Sequence, residues 1–256
     1  MNILPYYMID FSAAGCLFEI RINDYPVITQ NVKGQVSTYI PINYAVLESG
    51  EQTITATLLP VLGETQLSPK AYLTFKIMLF DVTNDFVFKN QLAEFNLEPK
   101  SDQVLPLLKQ NDIFEAEVPY CLDAWQDGIN LNDVKDVKQK LIEAYVALGS
   151  NIEKGQYNLF MDKINKREVN MATSMYLSKD ETKSRVSELI SDFENGFELM
   201  PLEEAIINFY ANGKAVALKK SNGESALYLF NKKTKQELML DITFYIPEGK
   251  SEFEVI

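Results

Sequence analysis

The first half of the chain alternates apolar and polar residues with a period of two. In LFEIRIN (17–23), Phe18, Ile20 and Ile22 fall on one side and Leu17, Glu19 and Arg21 on the other, the pattern of a strand with one buried face. In QTITATLL (52–59), Ile54, Ala56 and Leu58 oppose Thr53, Thr55 and Thr57, and YLTFKIMLF (72–80) and IFEAEVPYCL (113–122) continue the theme. Turn signals separate these runs at Asp24-Tyr25-Pro26, Lys33-Gly34, Ser49-Gly50-Glu51 and Leu62-Gly63-Glu64. Many short strands at such spacing predict an all-β sandwich over 1–127, of the immunoglobulin-like kind. The paired cysteines and central tryptophan of true immunoglobulin domains are not evident, so only the architecture is implied.

At GINLND (128–133) the period changes. Val134, Val137, Leu141, Tyr145 and Leu148 form one helical stripe, with Asn132 or Asp133 as its cap and Gly149 as its stop. A second helix is predicted over 152–176, with Phe160, Ile164, Met171 and Met175 on a common side. A third opens at the capping box Ser178-Lys179-Asp180-Glu181 and stops at Asn195-Gly196. After Pro201 strands return. AIINFYANGKAVALKK (205–220) predicts a hairpin with a type I′ turn at Asn212-Gly213. That register sets Phe209 opposite Val216 and Ile207 opposite Leu218, all turned toward the helices with Leu240, Ile242 and Phe244. The segment 236–246 reads as one final strand. The second domain, 130–256, is thus expected to be α+β, with three helices packed on a four-stranded antiparallel sheet.

The order of elements over 130–256, with FYANGKAVALKKSNGESALYLF at its centre, resembles the cone-shaped α+β domains related to nuclear transport factor 2 and, more loosely, cystatin-like sheets. The N-terminal half resembles immunoglobulin-like accessory domains of bacterial proteins. Some of those neighbour contact-dependent or type VI secretion systems, where small acidic proteins serve as immunity factors. The resemblance covers element order and turn placement. It carries over no catalytic Asp-His pair, because the chain contains no histidine.

That absence changes the functional picture most. It removes Ser-His-Asp and Cys-His catalysis and the commonest transition-metal ligand. With only Cys16 and Cys121, a zinc or iron–sulfur site is excluded as well, and both are expected as packed thiols. The net charge is −12, with 7 basic and 16 acidic residues over 1–130 (net −9) against 17 and 20 over 131–256 (net −3). Such a field repels phosphate backbones and anionic membranes and attracts a basic protein partner; it also simply keeps a protein soluble.

Ala13-Ala14-Gly15-Cys16 reads like a lipoprotein processing site. A secretory leader needs a basic start and then an uninterrupted apolar stretch. MNILPYYMIDFSAAG has no Lys or Arg, and Asp10 interrupts it. The four residues are therefore read as coincidental, Cys16 as part of a strand, and the chain as cytoplasmic.

Two constellations could carry binding. FEAEVPYCLDAWQDGINLND (114–133) gathers acids around Trp125, the only tryptophan. A calcium loop starting at Asp123 fails, with Trp125 at its third position and Val134 at its twelfth. Trp125 either seals the seam between the domains or stands exposed as a binding anchor. The second constellation is the far face of the terminal sheet: Asn208, Tyr210, Tyr228, Asp241 and Tyr245. These would suit a small polar ligand or a partner's side chain, or are the half-wet face of an ordinary antiparallel sheet. The lysines at 219, 220, 232, 233 and 235 read as turn residues. Met161, Met171, Met175 and Met200 read as core filler. No phosphate-cradling glycine loop occurs, and no cofactor is implied. The expected function is a non-enzymatic interaction factor, immunity-like or secretion-associated. The alternative is a small-molecule binder, or an enzyme without histidine, using the tyrosine face.

Overall fold

The structure is a computed structural model that describes residues 3–100, 105–202 and 205–256. It is mostly β, with one curled sheet, three helices and two smaller sheets, and it divides into two compact units, Met1–Leu122 and Asp123–Ile256. The division falls a few residues before the expected junction at 128–133.

The first unit is organised by one strand, β1 (Pro5–Ile22). Along one edge it pairs with β2 (Tyr25–Pro41). The other edge is shared: Pro5–Ala14 pair with β4 (Tyr72–Asp81) and Leu17–Ile22 with β3 (Gly50–Leu59). β5 (Val87–Leu97) extends the sheet beyond β4, and β6 (Leu108–Ala116) extends it beyond β3. The change of partner happens at Gly15, whose φ is +59°, in a bulge where the β2 register slips between Ala14 and Cys16. An unbroken period of two would turn the apolar residues outward beyond this point. The bulge switches parity instead. Tyr7, Ile9, Phe11 and Ala13 point inward before it, Cys16, Phe18, Ile20 and Ile22 after it, and all eight are buried in one core. A Cβ at Gly15 would meet only ordinary contact, 3.8 Å from Ala71 Cα, so it is the backbone angle that calls for glycine. The end strands β5 and β6 come back to within 8 Å of one another, Cα to Cα.

Several expectations are corrected here. Residues 5–14, tested above only as a leader, are strand. Lys33-Gly34 is not a turn but the bulged part of β2, opposite Gly15. The first hairpin turns one residue early, on Asn23-Asp24, both with positive φ (53° and 57°). The strand read over 113–122 ends at Ala116, beyond which the Val118 N–H goes to Ser49 Oγ at 2.9 Å.

The second unit holds α1 (Val137–Glu153), α2 (Tyr157–Ser174) and α3 (Lys179–Glu194). α1 starts later than its stripe implies. The Asn130 side chain caps a separate 3-10 turn, Leu131–Asp133, and Asp136 is left-handed (φ 56°) just before the helix. Gly149 does not stop α1. It lies inside the helix, where a Cβ would stand 2.7 Å from Leu199 Cδ2, so its smallness lets a strand approach. Gly155 (φ +66°) makes the break instead. The capping box forms as read: Glu181 N–H donates to Ser178 Oγ at 3.2 Å and Ser178 N–H to Glu181 Oε2 at 2.8 Å.

The terminal strands divide into two sheets rather than one meander. β7 (Phe197–Leu199), β10 (Tyr228–Asn231) and β11 (Gln236–Met239) form one, in the order β11-β10-β7. β8 (Ile206–Tyr210), β9 (Ala215–Lys219), β12 (Phe244–Tyr245) and β13 (Glu254–Val255) form the other, in the order β13-β12-β9-β8. The expected last strand is cut because 240–243 leave the ladder for other partners: Leu240 O accepts from Ser225 Oγ (2.5 Å), Ile242 O from Tyr145 Oη (2.6 Å) and Thr243 O from Ile256 N–H (2.9 Å). The β8–β9 register is the one read from the sequence, with Phe209 opposite Val216 and Ile207 opposite Leu218. Val216 and Leu218 are fully buried, Ile207 and Phe209 partly. The turn differs. Ala211, Asn212 and Gly213 all have positive φ (53°, 55° and 88°), and Lys214 N–H bonds to Ala211 O at 3.1 Å, making a four-residue loop. Among the described residues no helix is long and apolar enough to cross a membrane.

Candidate functional site

The five residues expected on one tyrosine face do not form one face. Tyr210 and Tyr245 both lie beside Ala215 in the four-stranded sheet, giving the cross-strand row Tyr210–Ala215–Tyr245–Glu254. Asn208 pairs with Ala217, two residues along on the same side. Tyr228 belongs to the other sheet, beneath the Lys220 ammonium at 3.7 Å from its ring centroid. Asp241 lies outside both and holds Lys219 Nζ at 2.6 Å.

Tyr210 and Tyr245 are also closed in, at 1% and 2% exposed. Around Tyr245 the protein fills its own site. Lys166 Nζ on α2 donates to Tyr245 Oη (2.5 Å) and lies 3.1 Å from Asp123 Oδ2 and 3.7 Å from Glu254 Oε2. Burial pushes the Tyr245 phenol up against the opposing pull of Lys166. Burial also disfavours the Lys166 ammonium, yet its bonds to Tyr245 and Asp123 outweigh that and raise it. A phenol held protonated beside a lysine whose charge is balanced by Asp123 and Glu254 makes a structural clasp between α2 and β12–β13.

Trp125 is buried, 8% exposed. Its carbonyl accepts from Gly128 N–H at 2.9 Å, and the same segment gives Gln126 O to Lys214 Nζ at 2.5 Å. Gly128 is needed there: a Cβ would stand 3.0 Å from Trp125 O and 3.3 Å from Tyr245 Cδ2.

An open aromatic surface lies on the first unit, at the start of β1, the end of β4 and the start of β5. On the outer face, Tyr6 pairs with Phe80 and Phe80 with Phe88. Phe86 adds to this row, with ring centroids 5.4 Å from Tyr6 and 4.7 Å from Phe80. Phe86 and Phe88 are each 51% exposed. Met8 and Met78, paired across the next rung, continue the apolar strip. Asp81 fixes the base of the hairpin. Its Oδ1 accepts from Thr83 Oγ1 (2.6 Å) and Thr83 N–H (3.0 Å), and Lys89 Nζ lies 3.3 Å from Oδ2. These bonds, led by the Thr83 hydroxyl, pull its carboxyl down to about 2.

At the same end, the inner face opens into a groove of about 610 Å³ floored by Pro5, Tyr7, Leu79, Leu92 and Val118, with Glu115 and Glu117 in its wall. Neutral hydrogen bonds hold it open. Tyr7 Oη accepts from Glu117 N–H (2.7 Å) and donates to Glu117 O (3.1 Å). Buried Asn43 accepts from Tyr7 N–H (2.6 Å) and donates to Pro5 O (3.0 Å). Sequence reasoning missed this region because it found neither residues 5–14 nor β5 as strands. The signal was present in DFVFKN, where Phe86 and Phe88 alternate around Val87. Among the described residues no group of three or more Cys, Asp or Glu is placed to hold a metal ion. Compared with known proteins, the chain matches no family model, no curated protein and no solved structure.

Proposed function

We propose that this chain is a non-enzymatic interaction factor whose first unit docks a basic protein partner at the β4–β5 end. The observation that carries the reading is the aromatic row Tyr6–Phe80–Phe88 with Phe86, exposed at Phe86 and Phe88, beside a groove walled by Glu115 and Glu117. Large exposed aromatics on a fixed sheet lose little conformational entropy on binding and supply the anchors of an interface. The surplus of acids over 1–130 supplies the long-range attraction, which sets association rate and partner sign more than final affinity. A partner offering Lys or Arg next to apolar side chains matches both features.

The architecture supports a role of the immunity-like or secretion-associated kind. The bend at Gly15 lets the two halves of one sheet enclose a common core, which is how we read the immunoglobulin-like sandwich. Helices beside an antiparallel sheet in the second unit fit the nuclear-transport-factor-like α+β reading. Two free cysteines, one of them exposed, suit a reducing compartment such as the cytoplasm. We also read the two units as independently folding domains. The test is selection from a random peptide display library on the full chain, counter-selected on a Phe86→Ser/Phe88→Ser variant. Basic sequences with apolar anchors should be enriched on the parent, lost on the variant and released by salt. Equal enrichment on both proteins, or none on the parent, would sink the proposal.

A further inference from the structure

The second unit contains a cavity of about 280 Å³ walled by α2, α3 and the stretch from β11 to Ile242. Its floor is apolar: Phe160 and Ile164 from α2, Leu189 from α3, and Leu238, Leu240 and Ile242. One end carries a charged triad. Glu168, 6% exposed, accepts from Arg167 Nη1 through Oε1 and from Arg185 Nε through Oε2, the latter at 2.8 Å. A single buried carboxylate therefore anchors two guanidiniums and leaves one net positive charge. Arg185 uses only its Nε among the described residues, and its side chain is 43% exposed, so its Nη groups remain available at the cavity mouth. Glu188 and Asp192, one and two turns further along α3, line the same cavity. Among the described residues Glu188 accepts only from Ser184 Oγ, at 2.8 Å.

We propose that this cavity binds a small zwitterion with an apolar body, a free amino acid of the leucine or phenylalanine class. The polar strip carries both signs in a fixed order along one helix, guanidinium then carboxylate. A simple anion placed on Arg185 faces Glu188, and a simple cation placed on Glu188 faces the two arginines. A ligand carrying both charges answers both. Arg185 and Glu188, three apart on α3, lie on the same side of the helix and line the same cavity, so one ligand can reach both. The volume corresponds to about nine waters. That admits a body of about ten non-hydrogen atoms. Glu168 is a positioning residue here: it holds the guanidinium of Arg185 over the apolar floor, where the fork can take a carboxylate in two bonds. The site is separate from the aromatic surface of the first unit, and neither proposal depends on the other.

The experiment is calorimetric titration of the full chain with L-leucine, L-phenylalanine, 4-methylpentanoate and 3-methylbutylamine. At least one of the two amino acids should bind, and each single-charge analogue should bind at least about tenfold more weakly. Arg185→Gln and Glu188→Gln should each weaken the amino acid by a similar factor. Glu188→Gln, at an exposed position, leaves the thermal transition in place, whereas Arg185→Gln, which takes one of two guanidiniums from Glu168, lowers it while the protein stays folded. Absence of binding by both amino acids overturns the proposal. So does equal binding of a single-charge analogue, or unchanged affinity in both folded variants.

Discussion

The two units treat buried polarity differently. In the first, the buried polar side chains among the described residues are the neutral Asn43 and Gln52, both bonded within the unit, while the Glu19–Arg21–Asp24 cluster stays on the outer face. In the second, Glu168 and Lys219 are buried as charges, each bonded to a partner that reaches toward solvent. An apolar core closed by neutral hydrogen bonds loses little with salt or pH, whereas a buried ion is only as stable as its partner's geometry. The first unit is thus built to hold a surface still, and the second to hold charge beside a cavity.

The sharpest way to break this contrast is Glu168→Ala. It removes the buried carboxylate that holds Arg167 and the half-exposed Arg185, and the loss of two charge-assisted hydrogen bonds should cost the second unit about 3 kcal/mol. Hydrogen exchange should show the loss confined to amides of 123–256. A uniform loss across both units would dissolve the distinction. Gly15→Val is the counterpart in the first unit, forcing a β-branched side chain to φ near +60°, and should cost about 2 kcal/mol there. Chemical denaturation followed by the same exchange experiment reads it, and an unchanged midpoint would mean the bulge relaxes freely.

A smaller effect sharpens the comparison from the thiols. Burial pushes the Cys16 thiol up to about 11, with its Sγ 3.6 Å from Tyr72 O, whereas Cys121 is exposed. Native protein at neutral pH should therefore label rapidly once, at Cys121, and a second time only as the first unit opens. Two fast labelling events would contradict the buried corner. The smallest effect concerns Asp81. Its folded value of about 2 lies below the ordinary carboxylate range, so its stabilisation is complete above about pH 4 and is lost as pH falls through 2. Asp81→Asn should flatten that acid limb slightly. An Asp81 carboxyl that titrates near 4 by NMR would remove the anchor of the aromatic hairpin.

Much of the fold could be read from the sequence because one-sided burial leaves a period. Phe18, Ile20 and Ile22, or Ile54, Ala56 and Leu58, point inward as their alternation requires. The β8–β9 register survived even though its turn has four residues instead of two. What escaped were elements without that signal. β2 is half-exposed on both faces, so its period is faint. β1 was obscured because Gly15 changes its parity midway, and the two halves look out of phase. The site was less legible than the fold. Tyr210 and Tyr245 do share a face and both are buried, but Lys166 of α2 and Gly128 stand against Tyr245, and no local pattern announces a cover arriving from elsewhere in the chain. The aromatic row unites Tyr6, Phe80, Phe86 and Phe88 only after three strands have aligned.

The sharing of β1 between two sets of partners also dictates the order in which the first unit can assemble during synthesis. β1 leaves the ribosome before its partners, and its second edge is not covered until residues 50–59 and 72–81 have followed it. The tight Asn23-Asp24 turn brings β2 back within a few residues and masks one edge early, as a local contact with little loop-closure cost. The other edge stays open as a template for neighbouring nascent chains until β3 and β4 arrive. Because one strand belongs to both halves, neither half can unfold and leave the other with a complete sheet. The first unit should open and close as a single cooperative block, trading a slow, aggregation-exposed birth for the absence of partly folded states in maturity.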